Sequence, residues 1–199
     1  MKSKKTKNKK PEIRFLNEMK SVVYDQKWFK KIKKPENVPL YYMYRGLKIK
    51  NGWRYDVTVI PPKMLGEEFV KTKGNRNSNG FLEIYVVLKG EAIFLLQKMK
   101  NGEVEDAMAI KAKKGDFVLD PAGYYIVSIN PSEKILKLGN WVPEKNENVY
   151  KEMEKKMGGC YYYANKGWVK NKNYKKIPKL KLKKPLKSMP KNLGFLFSN

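Results

Sequence analysis

Residues 71–110 read KTKGNRNSNGFLEIYVVLKGEAIFLLQKMKNGEVEDAMAI. Runs rich in Ile, Val, Tyr, Phe and Leu are broken at Lys89-Gly90 and again at Asn101-Gly102. Asn-Gly is the dipeptide favoured in tight type I′ turns, so the stretch predicts two successive hairpins. Similar short runs lie on both sides: YDVTVIPP (55–62) and EEFVKT (67–72) before it, then FVLDPAGY (117–124), YIVSIN (125–130) and KILKLGNWV (134–142). Short strands at regular intervals, separated by Gly, Pro and Asn, imply an antiparallel β-sandwich or barrel. One helical piece follows, ENVYKEMEKKMGG (147–159), closed by glycines as a helix C-terminus favours. Upstream, in EIRFLNEMKSVVYDQKWFKKIKK (12–34), Ile13, Leu16, Met19, Val23 and Trp28 fall at near-helical intervals and predict one or two short helices.

Charge divides the 199 residues into three parts: a basic extension with a short helix (1–36), a core domain (37–165) and a basic extended arm (166–199). The formal net charge is +25, from 44 Lys and Arg against 19 Asp and Glu. Residues 166–199 carry 11 lysines and no acidic residue, and residues 1–36 carry 13 basic against 4 acidic side chains. Such ends seek polyanions, because each phosphate neutralised by a cation releases a counterion. The candidate phosphate contacts are Lys2, Lys4, Lys5, Lys7, Lys9, Lys10, Lys30, Lys31, Lys33 and Lys34 at one end. At the other they are Lys170, Lys172, Lys175, Lys176, Lys179, Lys181, Lys183, Lys184, Lys187 and Lys191. Only four of the 44 basic residues are arginine, which points to backbone contacts rather than bidentate base reading. Tyr174, Phe195 and Phe197 offer rings that stack on bases or anchor in protein clefts. Prolines spaced through the arm disfavour both a helix and a central strand.

The chain contains no histidine, the commonest ligand of catalytic transition metals and the commonest acid–base group near neutral pH. Its single cysteine, Cys160, excludes an internal disulfide and reads as a small buried hydrophobe. No apolar run reaches the roughly 18 residues of a membrane span, and MKSKKTKNKK lacks the apolar stretch of a signal peptide. The expectation is a cytoplasmic protein without a membrane partner.

The order of LYYMYRGL, EEFVKTKG, EIYVVLKGEAIFLLQ, KKGDFVLDPAGYYIVSINPSE, LGNWV and GGCYYYANKGWVKNKNY resembles the cupin-type phosphoglucose isomerases of archaea and some bacteria. The resemblance covers roughly residues 40–180 and implies an all-β cupin, a double-stranded β-helix or jelly-roll barrel. In that family three histidines and a carboxylate bind a divalent metal that holds the sugar oxygens. By the resemblance, Asn75 and Asn77 stand at the first two histidine positions, Glu83 at the carboxylate and Ile126 at the third histidine. The family's phosphate contacts map onto Tyr44, Thr58, Thr72 and Gly74, with Lys73 beside them and Arg76 at the pocket mouth.

Amide oxygens are weak neutral ligands and isoleucine is none, so no metal or other cofactor is expected. Asn75, Asn77 and Glu83 are expected to form a hydrogen-bonded cluster or to line a pocket, with Glu83 the one retained candidate base. The reading that follows is a non-catalytic cupin binding structured RNA, above all ribosomal RNA beside neighbouring ribosomal proteins, through its lysine-rich ends. The alternative is a glucose-6-phosphate isomerase, or a sugar-phosphate sensor derived from one. Pairing of two copies through the cupin sheets is a further expectation carried by the resemblance.

Overall fold

The computed structural model describes residues 9–196, so Lys2, Lys4, Lys5, Lys7 and Phe197 lie outside the described residues. Sixteen strands form in chain order among these residues: β1 (Glu12–Phe15), β2 (Pro39–Lys50), β3 (Trp53–Ile60), β4 (Met64–Leu65), β5 (Glu68–Phe69), β6 (Asn75–Asn77), β7 (Glu83–Lys89), β8 (Glu91–Lys100), β9 (Glu103–Lys113), β10 (Phe117–Asp120), β11 (Tyr124–Ile129), β12 (Leu136–Pro143), β13 (Asn148–Val149), β14 (Tyr161–Ala164), β15 (Gly167–Lys170) and β16 (Lys181–Lys183). Two short helices, α1 (Gln26–Lys30) and α2 (Lys151–Lys155), complete the pattern.

Two six-stranded sheets carry the fold, in the orders β1-β2-β3-β12-β7-β10 and β13-β6-β11-β8-β9-β16, with a smaller sheet β15-β14-β5-β4 alongside. Strands distant in sequence are neighbours in both large sheets, as β12 is between β3 and β7, which is the jelly-roll crossing expected of a cupin. Phe94, Leu96, Ile126, Leu136 and Leu138 pack between the sheets in one buried cluster. The two predicted hairpin turns are present, and Asn101 and Gly102 both take positive φ (52° and 77°), as a type I′ turn requires.

The sequence reading passed over β1 and β2 at one end and β13 to β16 at the other, β13 falling within the piece read as helical (147–159). β2, with twelve residues, crosses the sheet between β1 and β3. β1 takes residues whose spacing suggested a helix: Ile13 pairs opposite Tyr42 and is 38% exposed. Sheet pairing overrides the weak helical spacing here, because a β-branched residue and an aromatic one suit an edge strand better than a helix turn. The chain then turns in a single 3₁₀ segment, Leu16–Met19, where the Glu18 carboxylate accepts the Phe15 N–H at 2.8 Å. Asp25 caps α1 by accepting the Trp28 N–H at 2.8 Å. Leu16, Met19, Val22, Val23 and Phe29 are buried in the same cluster as the barrel core. At the other helix, the left-handed residue past the C-terminus of α2 is Met157 (φ 60°), followed by Gly158 (φ 114°).

Candidate active site

Alternation along five strands, with one turn, gathers one polar pocket inside the barrel. Tyr41, Met43 and Arg45 point into it from β2, Arg54, Asp56 and Thr58 from β3, and Glu83 and Tyr85 from β7. Leu138, Asn140 and Val142 of β12, Ile126 and Ser128 of β11, and the Thr72-Lys73-Gly74-Asn75 turn complete the wall. The two-residue period explains this selection, since i and i+2 share a face of a strand.

Gly74 fits its place for two reasons. Its φ is 84°, and a Cβ there would lie 2.6 Å from Met153 Cε and 2.8 Å from Val127 Cγ2. The turn is held against β11 by paired contacts: the Thr72 N–H donates to the Ser128 carbonyl at 2.8 Å, and Thr72 Oγ1 accepts the Ser128 N–H at 2.9 Å. Thr72 thereby keeps its hydroxyl proton for a ligand. Lys73 donates its backbone N–H to the buried Tyr41 hydroxyl at 3.1 Å. Its Nζ pairs with Glu154 at 2.5 Å and sits 5.5 Å from the Tyr150 ring centre.

Glu83 lies at the centre of an amide network. Its Oε1 accepts from Asn140 Nδ2 at 2.5 Å and its Oε2 from Asn77 Nδ2 at 3.3 Å. Asn77 Oδ1 accepts from Asn146 Nδ2 at 2.9 Å, and Asn148 Oδ1 accepts from both Asn146 and Asn75 at 3.3 Å. Asn148 in turn donates to the Tyr150 hydroxyl at 3.1 Å. Burial pushes the Glu83 carboxyl up to about 7, only partly opposed by the hydrogen bonds from Asn77 and Tyr85. Tyr85 is held well above its ordinary value by burial and then by the charge of Glu83. Asp120 stands directly opposite Glu83 across the β10–β7 pair; neither of its buried carboxyl oxygens has a hydrogen-bond partner among the described residues. Burial, then the Glu83 charge, drives its proton affinity well up. Two buried carboxyls of raised proton affinity therefore face each other across β7 and β10, with Glu83 in the pocket wall.

Cations face this pair. Arg54 Nε reaches both oxygens of the buried Asp56 at 3.0 Å, and Arg45 bridges Asp56 (3.4 Å) and Glu12 (3.1 Å). With Lys73, three cationic side chains line a pocket whose other formal charges are Asp56 and Glu83. Such a balance suits an anionic ligand.

Of the residues expected from sequence, Thr58, Thr72, Lys73, Gly74, Asn75, Glu83 and Ile126 converge on this pocket, and Asn77 touches it through Glu83. Tyr44 lies on the other face of β2, opposite Val57, because the alternation that turns Tyr41, Met43 and Arg45 inward turns Tyr44 away. Arg76 alternates likewise and stacks 5.7 Å from the Tyr125 ring centre rather than lining the pocket. Sequence reasoning missed Arg45, Arg54, Asp56 and Asp120, as well as Asn140, Asn146 and Asn148. The signal for the β3 set was present: charged residues at 54 and 56 share a strand face with Thr58, where an apolar core would place hydrophobes. The β12 and β13 amides became recognisable only once those strands were placed beside β7 and β6.

The donor set was weighed against the divalent metal that the resemblance implies. Both Glu83 oxygens already accept amide protons, Asn75 and Asn77 supply only neutral amides, and Ile126 is a buried hydrocarbon. No three His, Cys, Asp or Glu side chains converge with metal-holding geometry among the described residues. These residues do not fit a transition-metal centre.

The description of a family model, "Glucose-6-phosphate isomerase (GPI)", matches residues 13–179. Two proteins named glucose-6-phosphate isomerase are similar to this chain. That of Thermococcus litoralis is 30% identical over 64% of this chain and 66% of its own length; that of Pyrococcus abyssi (strain GE5 / Orsay) is 34% identical over 61% and 64%. The matched segment is thus just under two thirds of either relative. Among solved structures, oxalate oxidase in complex with the substrate analogue glycolate aligns at TM-score 0.46 and 12% identity, covering 55% of this chain and 54% of that one. The expectation that the chain is not an enzyme is corrected by these matches, since the family and both relatives bear the name of an enzyme. That expectation followed from the weak donors at Asn75, Asn77 and Ile126 and from the basic ends. The chain belongs to the glucose-6-phosphate isomerase family of cupins.

Proposed function

We propose that the pocket interconverts an aldose phosphate and a ketose phosphate, glucose 6-phosphate and fructose 6-phosphate, with Glu83 as the base. One observation carries this reading: a buried carboxylate that titrates at about 7 at the floor of a cationic pocket. A base works best when its pKa lies near the working pH, because it is then both ionised and basic enough to take a carbon-bound proton.

On the open-chain aldose, the ionised Glu83 takes the proton from C2. The C–H electron pair forms the C1–C2 double bond, and negative charge moves onto the C1 oxygen. The amide N–H groups of Asn75 and Asn140 and the Arg45 and Arg54 guanidiniums line the space where that charge develops. Transfer of the hydroxyl proton from O2 to O1 and return of the proton from Glu83 to C1 give the ketose, restoring the carboxylate. Thr72, Lys73 and Thr58 supply hydroxyl and ammonium donors for the phosphate. No step runs through a metal, consistent with the donor set.

The test is coupled turnover of fructose 6-phosphate by the full chain after chelation, beside the Glu83→Gln variant. Turnover that survives the chelator and is lost in the variant supports the reading. Absence of turnover with and without added divalent metals overturns it.

A further inference from the structure

The C-terminal segment, with β15, β16 and a 3₁₀ turn at Lys191–Leu196, is pinned to the barrel along its length. Asn171 is buried and donates from Nδ2 to the carbonyls of Lys156 (2.8 Å) and Gly159 (2.9 Å). Tyr174 is equally buried; its hydroxyl donates to the Gly158 carbonyl at 2.8 Å and accepts from Gln97 Nε2 at 3.0 Å. This ring does not stack on a base or enter a partner's cleft: it anchors in the chain's own core. Ile177 and Leu180 pack on the cluster around Leu95 and Tyr161, and the Tyr161 hydroxyl donates to the Pro178 carbonyl at 2.8 Å. β16 then runs parallel to β9, Leu186 exchanges two backbone hydrogen bonds with Phe117 (2.8 and 2.9 Å), and Leu193 and Leu196 are buried against Ile84 and Trp141.

Between these anchors the lysines face outward. Two of them pair with acids, Lys181 with Asp106 at 2.7 Å and Lys187 with Asp116 at 2.6 Å. Lys172, Lys175, Lys176, Lys179, Lys183 and Lys184 are exposed and have no ion-pair partner among the described residues. The strip begins at a cleft lined by Lys170, Lys172, Tyr24 and Gln26, where α1 starts. Tyr24 and Gln26 from one end of the chain thus meet Lys170 and Lys172 from the other.

A solubilising tail has no use for fixed geometry. Ordering each residue of an arm opposes folding through lost conformational entropy, and lining up like charges adds repulsion. Here apolar and hydrogen-bonding anchors offset that loss and hold the cations in one row. The four arginines are occupied elsewhere: Arg14 with Glu18, Arg45 and Arg54 with Asp56, and Arg76 over Tyr125. The row is therefore all lysine, a set of point charges suited to phosphates and unsuited to the bidentate reading of bases. DNA duplexes are read by a helix or ribbon set into the major groove, whereas structured RNA is bound largely by shape and backbone.

We propose that the strip of residues 170–191 binds the phosphate backbone of structured RNA, at a surface separate from the pocket.

The test is anisotropy of a labelled RNA hairpin, and of a DNA duplex of equal length, titrated with the full chain over a range of NaCl. The comparison protein carries Lys175→Gln, Lys176→Gln, Lys179→Gln, Lys183→Gln and Lys184→Gln together. The unmodified chain is expected to bind the hairpin with an affinity that falls steeply with salt. Removing five phosphate contacts should lower the slope of log K against log salt by about 4 and weaken binding at least ~100-fold at low salt. Circular dichroism and melting of both proteins should coincide, which separates lost binding from lost folding. Equal binding by the two proteins overturns the assignment of the strip, and DNA binding as tight as RNA binding overturns the choice of RNA. Turnover in the pocket should be alike in both proteins, so that a failure of the isomerase reading leaves this test intact.

Discussion

Glu83 and Lys179 are both formally charged, and the fold treats them in opposite ways. Glu83 is 5% exposed and surrounded by amides, so a single ionisation carries a large free-energy change. Lys179 stands in water on a pinned ribbon, where each charge is worth little alone and the row acts by number. Inside the barrel the protein buries a few charges among close partners; on the ribbon it spreads many in water.

The sharpest way to break this contrast is substitution of Glu83. Glu83→Gln keeps the shape and an accepting oxygen for Asn77 and Asn140 but removes the base, and turnover should fall by about 10²- to 10⁴-fold in the coupled assay. In the unmodified chain kcat/KM should rise with pH through about 7 as the carboxylate ionises, and a profile flat between pH 6 and 8, a window of roughly one unit either side of that value, would count against Glu83 as the base.

The same substitution should act on stability in the other direction. The folded pKa of Glu83 is raised from 4.5 to about 7, so its neutral burial is favourable below about 4.5 and that stability is lost as pH rises through about 7. Glu83→Gln should therefore melt higher than the unmodified chain at pH 8, by up to about 3 kcal/mol, with the difference fading toward pH 4. Coincident melting curves at pH 8 would show that Glu83 is not desolvated as described. Asp120, raised for the same reason and without a partner, should behave alike: Asp120→Asn is expected to stabilise the fold at pH 8, read by the same melting series.

Next in size is the anchor that joins ribbon to barrel. Tyr174→Phe keeps the ring and removes a hydroxyl that serves Gln97 and Gly158, so stability should drop by about 1–3 kcal/mol in urea unfolding. Smallest of all, Lys179→Gln alone should shift stability by no more than about 0.5 kcal/mol. A large effect would mean that the ribbon lysines hold the fold rather than await a partner.

The hairpins at Lys89-Gly90 and Asn101-Gly102, the barrel class and the uneven charge were legible in the sequence, since turn chemistry, two-residue periodicity and net charge act locally. Seven of the candidate site residues line one pocket, because they follow one another on a turn or alternate along a strand. Tyr44 was not, since the face of a strand depends on parity, and parity is set by which neighbours the strand acquires. Composition also led from the missing histidines to the expectation of a chain that is not an enzyme, which the family match corrects.

The sequence by itself determined that the chain folds as a β-barrel, that its ends are cationic and that no imidazole takes part. Only the tertiary structure decided that Asn140 bonds Glu83, that Arg45 and Arg54 share its pocket, and that Tyr174 belongs to the core. The reason is range: turns and alternation depend on adjacent residues, whereas desolvation, the Glu83 proton affinity and the fixing of a lysine row depend on strands brought together from opposite ends of the chain.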